Sequence, residues 1–231
     1  MSGILREQLA DQKNYGGPRS AKQIRYLVFH YTGNDGDSAA GNAAYFQRNV
    51  VRASAHYFVD DMYIYRSVPE LRAAWAVGGK RYANADRTGG GTLYGTVTNA
   101  NSISIELCDT VKNGIYQATE ATLENAAALG RELMERYHIP LERVCRHFDV
   151  TGKHCPSYFI NAEKWSAFKQ RLKGTGMDNA PASYAREAVS WAVERGIITG
   201  SVDGDLMLSQ PVTRQQMIVM LYRYAGLEEK K

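Results

Sequence analysis

The sequence predicts an α/β layer architecture, a central mixed β-sheet flanked by helices, followed by a small all-α helical hairpin. Three observations carry that reading: short β-branched and aromatic runs, apolar residues at helical spacing between them, and a polar break at Lys173 to Ser183, KGTGMDNAPAS. The runs Ile24 to Thr32, Ala55 to Val59, Met62 to Val68 and Ser102 to Leu107 read as strands. Ala39, Ala43, Phe46 and Val50 recur at steps of four, three and four, as on one helix face. A second helix follows a Thr119 cap through Leu123, Ala126, Ala127, Gly130, Met134 and Tyr137, and a third runs from an Asn161 cap through Trp165, Phe168 and Leu172. Gly78 to Asn101 is long, Gly-rich and weakly patterned, a kind of segment that compact domains keep for function or motion. The expected organisation is a domain over 1–173, a linker over 174–183 and a tail over 184–231.

Composition narrows the function classes. The 231 residues carry 28 Lys and Arg against 24 Asp and Glu, a net charge of +4, with 44% hydrophobic residues. That excludes a disordered, collagenous or coiled-coil chain. Charged residues or glycine interrupt every apolar stretch before the roughly 18 residues that a membrane span needs. The positive excess is not gathered into a block and no nucleic-acid-binding pattern is present, so that partner is set aside. In the tail, six basic and six acidic side chains cancel, which leaves the excess on the larger domain. The opening MSGILREQLADQ lacks the apolar core of a secretory signal, so the expectation is synthesis and retention in cytoplasm. Three cysteines, Cys108, Cys145 and Cys155, cannot all pair, and at least one is a free thiol, a metal ligand or an intermolecular link.

The chemistry-bearing residues stand out against this map. His30 closes a strand, and His147 and Cys155 lie eight positions apart in RHFDVTGKHCP. Imidazole nitrogen and thiolate sulfur both suit Zn²⁺, and three protein ligands leave a fourth position for water. Taken singly, His30 reads equally as an edge histidine and Cys155 as a small core residue. In Ser102 to Leu107, Ile103, Ile105 and Leu107 share one strand face and Ser102, Ser104 and Glu106 the other, so Glu106 faces away from the apolar core. His56 reads as a hydrogen-bonded structural residue, His138 as a cation suited to a helix C-terminus, His154 as directed away from its neighbour Cys155, and Cys108 and Cys145 as buried thiols.

The strings IRYLVFHYT, SAHYFVD, NANSISIEL and RHFDVTGKHCP, in this order over about the first 170 residues, resemble the zinc-dependent N-acetylmuramoyl-L-alanine amidases of the type-2 group, among them phage endolysins and relatives of peptidoglycan recognition proteins. The resemblance implies a zinc held by His30, His147 and Cys155, a catalytic acid at Glu106 and a catalytic lysine at Lys153. Glu106 would act as general base and then as acid to the leaving amine of L-alanine, and Lys153 would supply positive charge to the oxyanion. Trp75 and Asn101 are the implied substrate contacts, with a core role as the other reading of Trp75. Ala76 departs from the family, in which a histidine commonly follows that tryptophan.

In the tail, Ala185, Ala188, Val189, Ala192 and Val193 form an apolar stripe that Gly196 ends. A loop with Asp203 and Gly204 follows, and then Thr213 with Gln216 forms a capping box before Met217, Met220, Leu221 and Tyr224. This pattern resembles one S-layer homology repeat, which implies binding of secondary cell-wall polysaccharide with Trp191 and Arg214 involved, or else structural. One hairpin buries little surface, so tails are expected to associate between chains or to dock on the larger domain.

The function these resemblances imply is peptidoglycan hydrolysis at the bacterial cell wall after release of the chain from the cell. Its alternatives are a non-cleaving zinc-containing recognition module and a cytoplasmic muropeptide-recycling amidase. A surface-layer structural protein fits poorly with a single repeat.

Overall fold

The computed structural model describes residues 3–173, 179, 181–200, 204–208 and 212–226. The chain divides into two compact units, Met1–Lys173 and Gly174–Lys231. Most of the linker expected at 174–183, together with Asp203, lies outside the described residues.

The first unit is built on a six-stranded mixed sheet. Its strands are β1 (Ile4–Glu7), β3 (Tyr26–Tyr31), β4 (Tyr57–Val59), β5 (Tyr63–Arg66), β7 (Ser102–Leu107) and β10 (Val144–Arg146), in spatial order β1-β5-β4-β7-β3-β10. Only β4 and β5 run antiparallel, and the other neighbours are parallel. Two small ribbons flank it, β2 (Tyr15–Pro18) with β6 (Arg72–Ala74), and β8 (Thr110–Lys112) with β9 (Ile115–Gln117). The four expected strands are present, Ser102 to Leu107 with the expected bounds and the other three shorter. β1, β10 and both ribbons were not foreseen, because runs of three or four residues carry almost no period-2 signal.

Alternation along β3 and β7 divides the interior. Leu27, Phe29, Ile103, Ile105 and Leu107 meet the helices α3 (Glu120–Tyr137) and α5 (Ala162–Leu172) in the main core. Thr119 and Asn161 cap these helices, accepting from the N–H groups of Thr122 and Lys164. The ring of Phe29 sits edge-on to Phe168 at 4.9 Å and to Trp165 at 6.2 Å. Gly130 lets α3 come this close, since a Cβ there would lie 2.5 Å from Leu172 Cδ2. His138 stands at the left-handed C-cap of α3, not within its last turn (φ 52°).

On the opposite face, α1 (Ala39–Arg48) covers β4 and β5 through Ala39, Ala43 and Phe58, while Val50 lies beyond its end and is exposed. The long segment after Gly78 covers β3 and β10, with Val77 and Val97 packed on Val28, Cys145 and Val150. It contains one short helix, α2 (Ala85–Thr88). The serines of β7 are therefore buried, not solvated. Beneath them Arg19 is buried, donating from Nε to the Glu70 carbonyl (2.9 Å) and from Nη1 to the carbonyls of Ser102 (2.6 Å) and Asn99 (3.0 Å). His56 has the structural role read from the sequence: its Nδ1 accepts from the Ser104 N–H at 3.0 Å. Burial, reinforced by the Arg19 charge, lowers its pKa to about 3 and keeps the ring neutral.

The second unit contains α6 (Arg186–Glu194), followed by Gly196 at φ 68°, and α7 (Arg214–Tyr224), which opens on the Thr213–Gln216 capping box. Ala192 and Ile197 are its buried apolar residues among those described, and Ile218, Leu221 and Tyr224 are 65%, 59% and 65% exposed. No helix among the described residues is long and apolar enough to cross a membrane.

Candidate metal centre and active-site cleft

The site forms at the carboxyl ends of parallel strands, where open α/β sheets present their ligands. His30 is the fifth residue of β3, and the parallel register sets it directly opposite Glu106 of β7. Both side chains leave the sheet on the face away from the aromatic core. β10 pairs with β3 from Val144↔Leu27 to Arg146↔Phe29, so the next residue, His147, emerges beside His30. There the backbone turns into the short helix α4 (His147–Thr151), where a loop had been expected.

Two devices hold the returning chain. Arg146 donates from Nε and Nη2 to Asp149 (3.0 and 2.5 Å) and from Nη1 to the Phe159 carbonyl (2.6 Å). Gly152 ends α4 at φ 84°, a conformation that strains other residues, and its neighbour Ala85 leaves no room for a Cβ. The Phe148 N–H then donates to the Cys155 carbonyl at 2.9 Å, closing the loop so that the thiol faces the imidazoles. His154 turns its ring toward Phe148 instead.

The ligand atoms of His30, His147 and Cys155 all lie within 4.8 Å of one another, and all three residues are buried. Cys155 Sγ is 3.8 Å from His30 Nδ1, and the two imidazole centroids are 4.7 Å apart. Ligands about 2.0–2.3 Å from one tetrahedral ion stand roughly 3.3–3.6 Å apart, so the group fits a single metal ion with small adjustment. One candidate donor atom agrees with this: His147 Nδ1 is buried with no hydrogen-bond partner. Burial, together with neighbouring positive charge, holds the His30 pKa well below its ordinary value and that of His147 down to about 4, so both rings stay neutral with lone pairs to offer. Burial pushes the Cys155 thiol pKa up, which opposes the thiolate unless a cation is present.

Glu106 borders this group, with Oε1 3.8 Å from His30 Nδ1 and Oε2 buried without a hydrogen-bond partner. Burial raises its pKa to about 8, with Lys153 opposing the rise and Asp109 and Asp37 adding to it. Lys153 is exposed, and its charge acts on His30, His147, Glu106 and Cys155 alike. It lines a cleft of about 500 Å³ with His147, Thr151, Ala76, Lys80 and Tyr82, so the long segment after Gly78 supplies one wall.

The remaining sequence candidates fall elsewhere. Asn101 does not face the cleft group: its carboxamide accepts from the Thr98 N–H (2.8 Å) and donates to the Thr96 carbonyl (2.9 Å), closing a turn before β7. Trp75 is 36% exposed and packs over Gly16 of β2, while the cleft wall begins at the next residue, Ala76. In the second unit, Trp191 carries the Arg195 guanidinium over its ring at 5.2 Å and meets Tyr224 at 6.0 Å, and Arg214 is exposed on the first turn of α7. Sequence reasoning missed Asp109. This buried residue accepts from the Gly33 N–H at 2.9 Å and from Thr32 Oγ1 at 3.3 Å, tying the exit of β3 to that of β7. Its only signal was its place two residues past a strand end.

Fold and site together define a class: an α/β protein in which two histidines and a cysteine gather at the carboxyl ends of parallel strands in a grouping able to hold one metal ion, with a half-buried carboxyl beside it. Among known proteins, a family model described as N-acetylmuramoyl-L-alanine amidase matches residues 20–158, and one described as S-layer homology domain matches residues 177–218. The chain belongs to the N-acetylmuramoyl-L-alanine amidase family. The N-acetylmuramoyl-L-alanine amidases BlyA and CwlA of Bacillus subtilis are 30% and 29% identical to it, over 85% and 94% of this chain. The chain spans 55% of the length of BlyA and 79% of that of CwlA. A solved structure of the PlyG catalytic domain is 30% identical with a TM-score of 0.58, covering 77% of this chain and 99% of that domain.

Proposed function

We propose that the chain hydrolyses peptidoglycan at the amide bond joining the lactyl group of N-acetylmuramic acid to L-alanine, with zinc as the metal at His30, His147 and Cys155. The observation that carries the reading is the half-buried Glu106 carboxyl, its Oε2 withdrawn from solvent, set 3.8 Å from a histidine of the only His/Cys/carboxylate metal grouping found among the described residues. Bound zinc supplies Lewis acidity and brings the pKa of a coordinated water to about 7.

The protein's own groups do the rest. Glu106 takes a proton from the water that attacks the carbonyl carbon and returns it to the departing nitrogen of L-alanine. Its raised pKa suits both transfers near neutral pH. The Lys153 ammonium, on the cleft wall beside His147, faces the negative charge that develops on the carbonyl oxygen. Neutral imidazoles, kept so by burial, hold the ligand geometry while this charge forms.

The second unit holds the chain on the wall through secondary cell-wall polysaccharide, with Trp191 and Arg214 in contact with the sugar, and its exposed apolar residues are covered by tails of other copies. Such assembly multiplies weak contacts on a repetitive polymer. Light scattering on the full chain is expected to show an oligomer, and a monomer at micromolar concentration would overturn that part.

The test of the enzymatic reading is digestion of purified peptidoglycan by wild type, Glu106→Ala and Cys155→Ser. Wild type is expected to release free L-alanine amines without new reducing sugar ends, and both variants to lose most of that release. Reducing ends in place of amines would assign a different reaction.

A further inference from the structure

The cleft beside His147 is lined by three cationic side chains, Lys80, Arg81 and Lys153, and by no Asp or Glu. The three are not equivalent. Arg81 is committed elsewhere, with Nη1 and Nη2 donating to Asp86 (3.1 and 2.5 Å) and Nε to the Gly91 carbonyl (3.1 Å). Lys153 belongs to the reacting group as argued above. Lys80 makes no ion pair among the described residues.

The backbone that carries Lys80 is anchored. The Tyr82 N–H donates to the Thr151 carbonyl of α4 at 2.8 Å, and Gly152 lies against Ala85 and Tyr82. Lys80 is thus presented beside the metal-ligand helix, and on its other side come Gly78 and Gly79, without side chains to fill the cleft. An unpaired ammonium lining a cavity with no acid in it favours an anionic occupant. In a muramoyl-peptide the lactyl carboxyl is consumed in the scissile amide and carries no charge. The nearest anion is then a carboxylate on the peptide that continues beyond L-alanine.

Resting on the amidase reading, we propose that Lys80 is a specificity-determining residue that binds a free carboxylate on the residue following L-alanine. It makes the protein prefer such stems over the same stems carrying a carboxamide there. The discrimination is that of an exposed ion pair next to a cationic centre, about two- to fivefold in kcat/KM at low salt. It shrinks as salt screens the pair.

The experiment uses the full chain and two synthetic muramoyl-tetrapeptides that differ only in that carboxylate or carboxamide, with amine release as the readout. Wild type is expected to prefer the carboxylate stem about two- to fivefold, less so at about 0.5 M salt. Lys80→Ala is expected to bring the ratio toward one, Lys80→Arg to keep it and Lys80→Glu to reverse it. Equal turnover of both stems by wild type overturns the Lys80 subsite and leaves the amidase reading standing. A preference that survives in Lys80→Ala assigns the discrimination elsewhere and overturns it too. Turnover of neither stem overturns the amidase reading and the subsite with it.

Discussion

Glu106 Oε1 stands 3.8 Å from His30 Nδ1, and the two residues face each other on neighbouring parallel strands. The proposed proton carrier and a proposed metal ligand are thereby placed by one backbone register, which neither loop motion nor a side-chain rotation can shift by a whole residue. Of the site residues, His30 and Glu106 stand on central strands, whereas His147 and Cys155 come from the short helix after β10 and the loop that follows it.

Removal of the Glu106 proton carrier should cost catalysis and little else. Glu106→Gln keeps the volume and is expected to lower kcat about 10²–10⁴-fold while bound metal stays at one equivalent. Elemental analysis alongside amine release separates the two effects, and a variant with full metal and near-wild-type turnover would remove Glu106 from the mechanism.

Chelation should remove both activity and part of the stability. A metal held by three buried residues of the folded chain and weakly by the unfolded one stabilises by about 4 kcal/mol at a thousandfold excess over its Kd. Apo protein is expected to melt several degrees lower, with added Zn²⁺ restoring Tm and turnover together. Undiminished turnover in protein shown to be metal-free would end the zinc assignment.

Gly152→Ala tests how the ligand loop is closed. A Cβ at this φ of 84° would sit 2.7 Å from Ala85 Cβ, so the substitution combines backbone strain with a clash. The expected loss is about 1–3 kcal/mol in denaturant unfolding, with weaker metal binding because Cys155 is displaced. Wild-type metal affinity in this variant would show that the turn does not position the thiol.

Glu70 gives a pH dependence away from the cleft. Burial alone would raise its pKa, but the hydroxyls of Tyr137 and Tyr57 and the Arg136 guanidinium (2.7 Å) outweigh it and hold the pKa below its ordinary value. A depressed carboxyl contributes stability that is complete above the unfolded value near 4.5 and is lost as pH falls through the folded one. Glu70→Gln is expected to cost about 1–3 kcal/mol at pH 7 and to flatten the stability profile below about pH 4.5. Parallel profiles for the two proteins would contradict the network's role.

Much of the framework was legible because its signals are local. The Thr119, Asn161 and Thr213 caps, the four main strands and the outward face of Glu106 each follow from spacing within a few residues. The readings that went astray needed neighbours that the local pattern does not show. Alternation put Ser102 and Ser104 on the face of Glu106 without saying what covers it, and the structure buries both. The resemblance implied Asn101 as a substrate contact, but its carboxamide closes the four-residue turn from Thr98 to Asn101. The hairpin β8–β9 turns at Asn113 and Gly114, both at positive φ, an Asn-Gly signal that went unread.

The sequence alone determined which side chains could do chemistry, the strand and helix faces they occupy, and through the motif order the family to which they belong. Tertiary structure decided that His30 and Cys155, 125 residues apart, share one buried space, that the imidazoles there stay neutral, and that Arg81 on the cleft wall is paired with Asp86. The reason is physical: parallel strands are joined by long crossovers, so no short-range pattern encodes their register, and burial and charge pairing belong to space, not to distance along the chain.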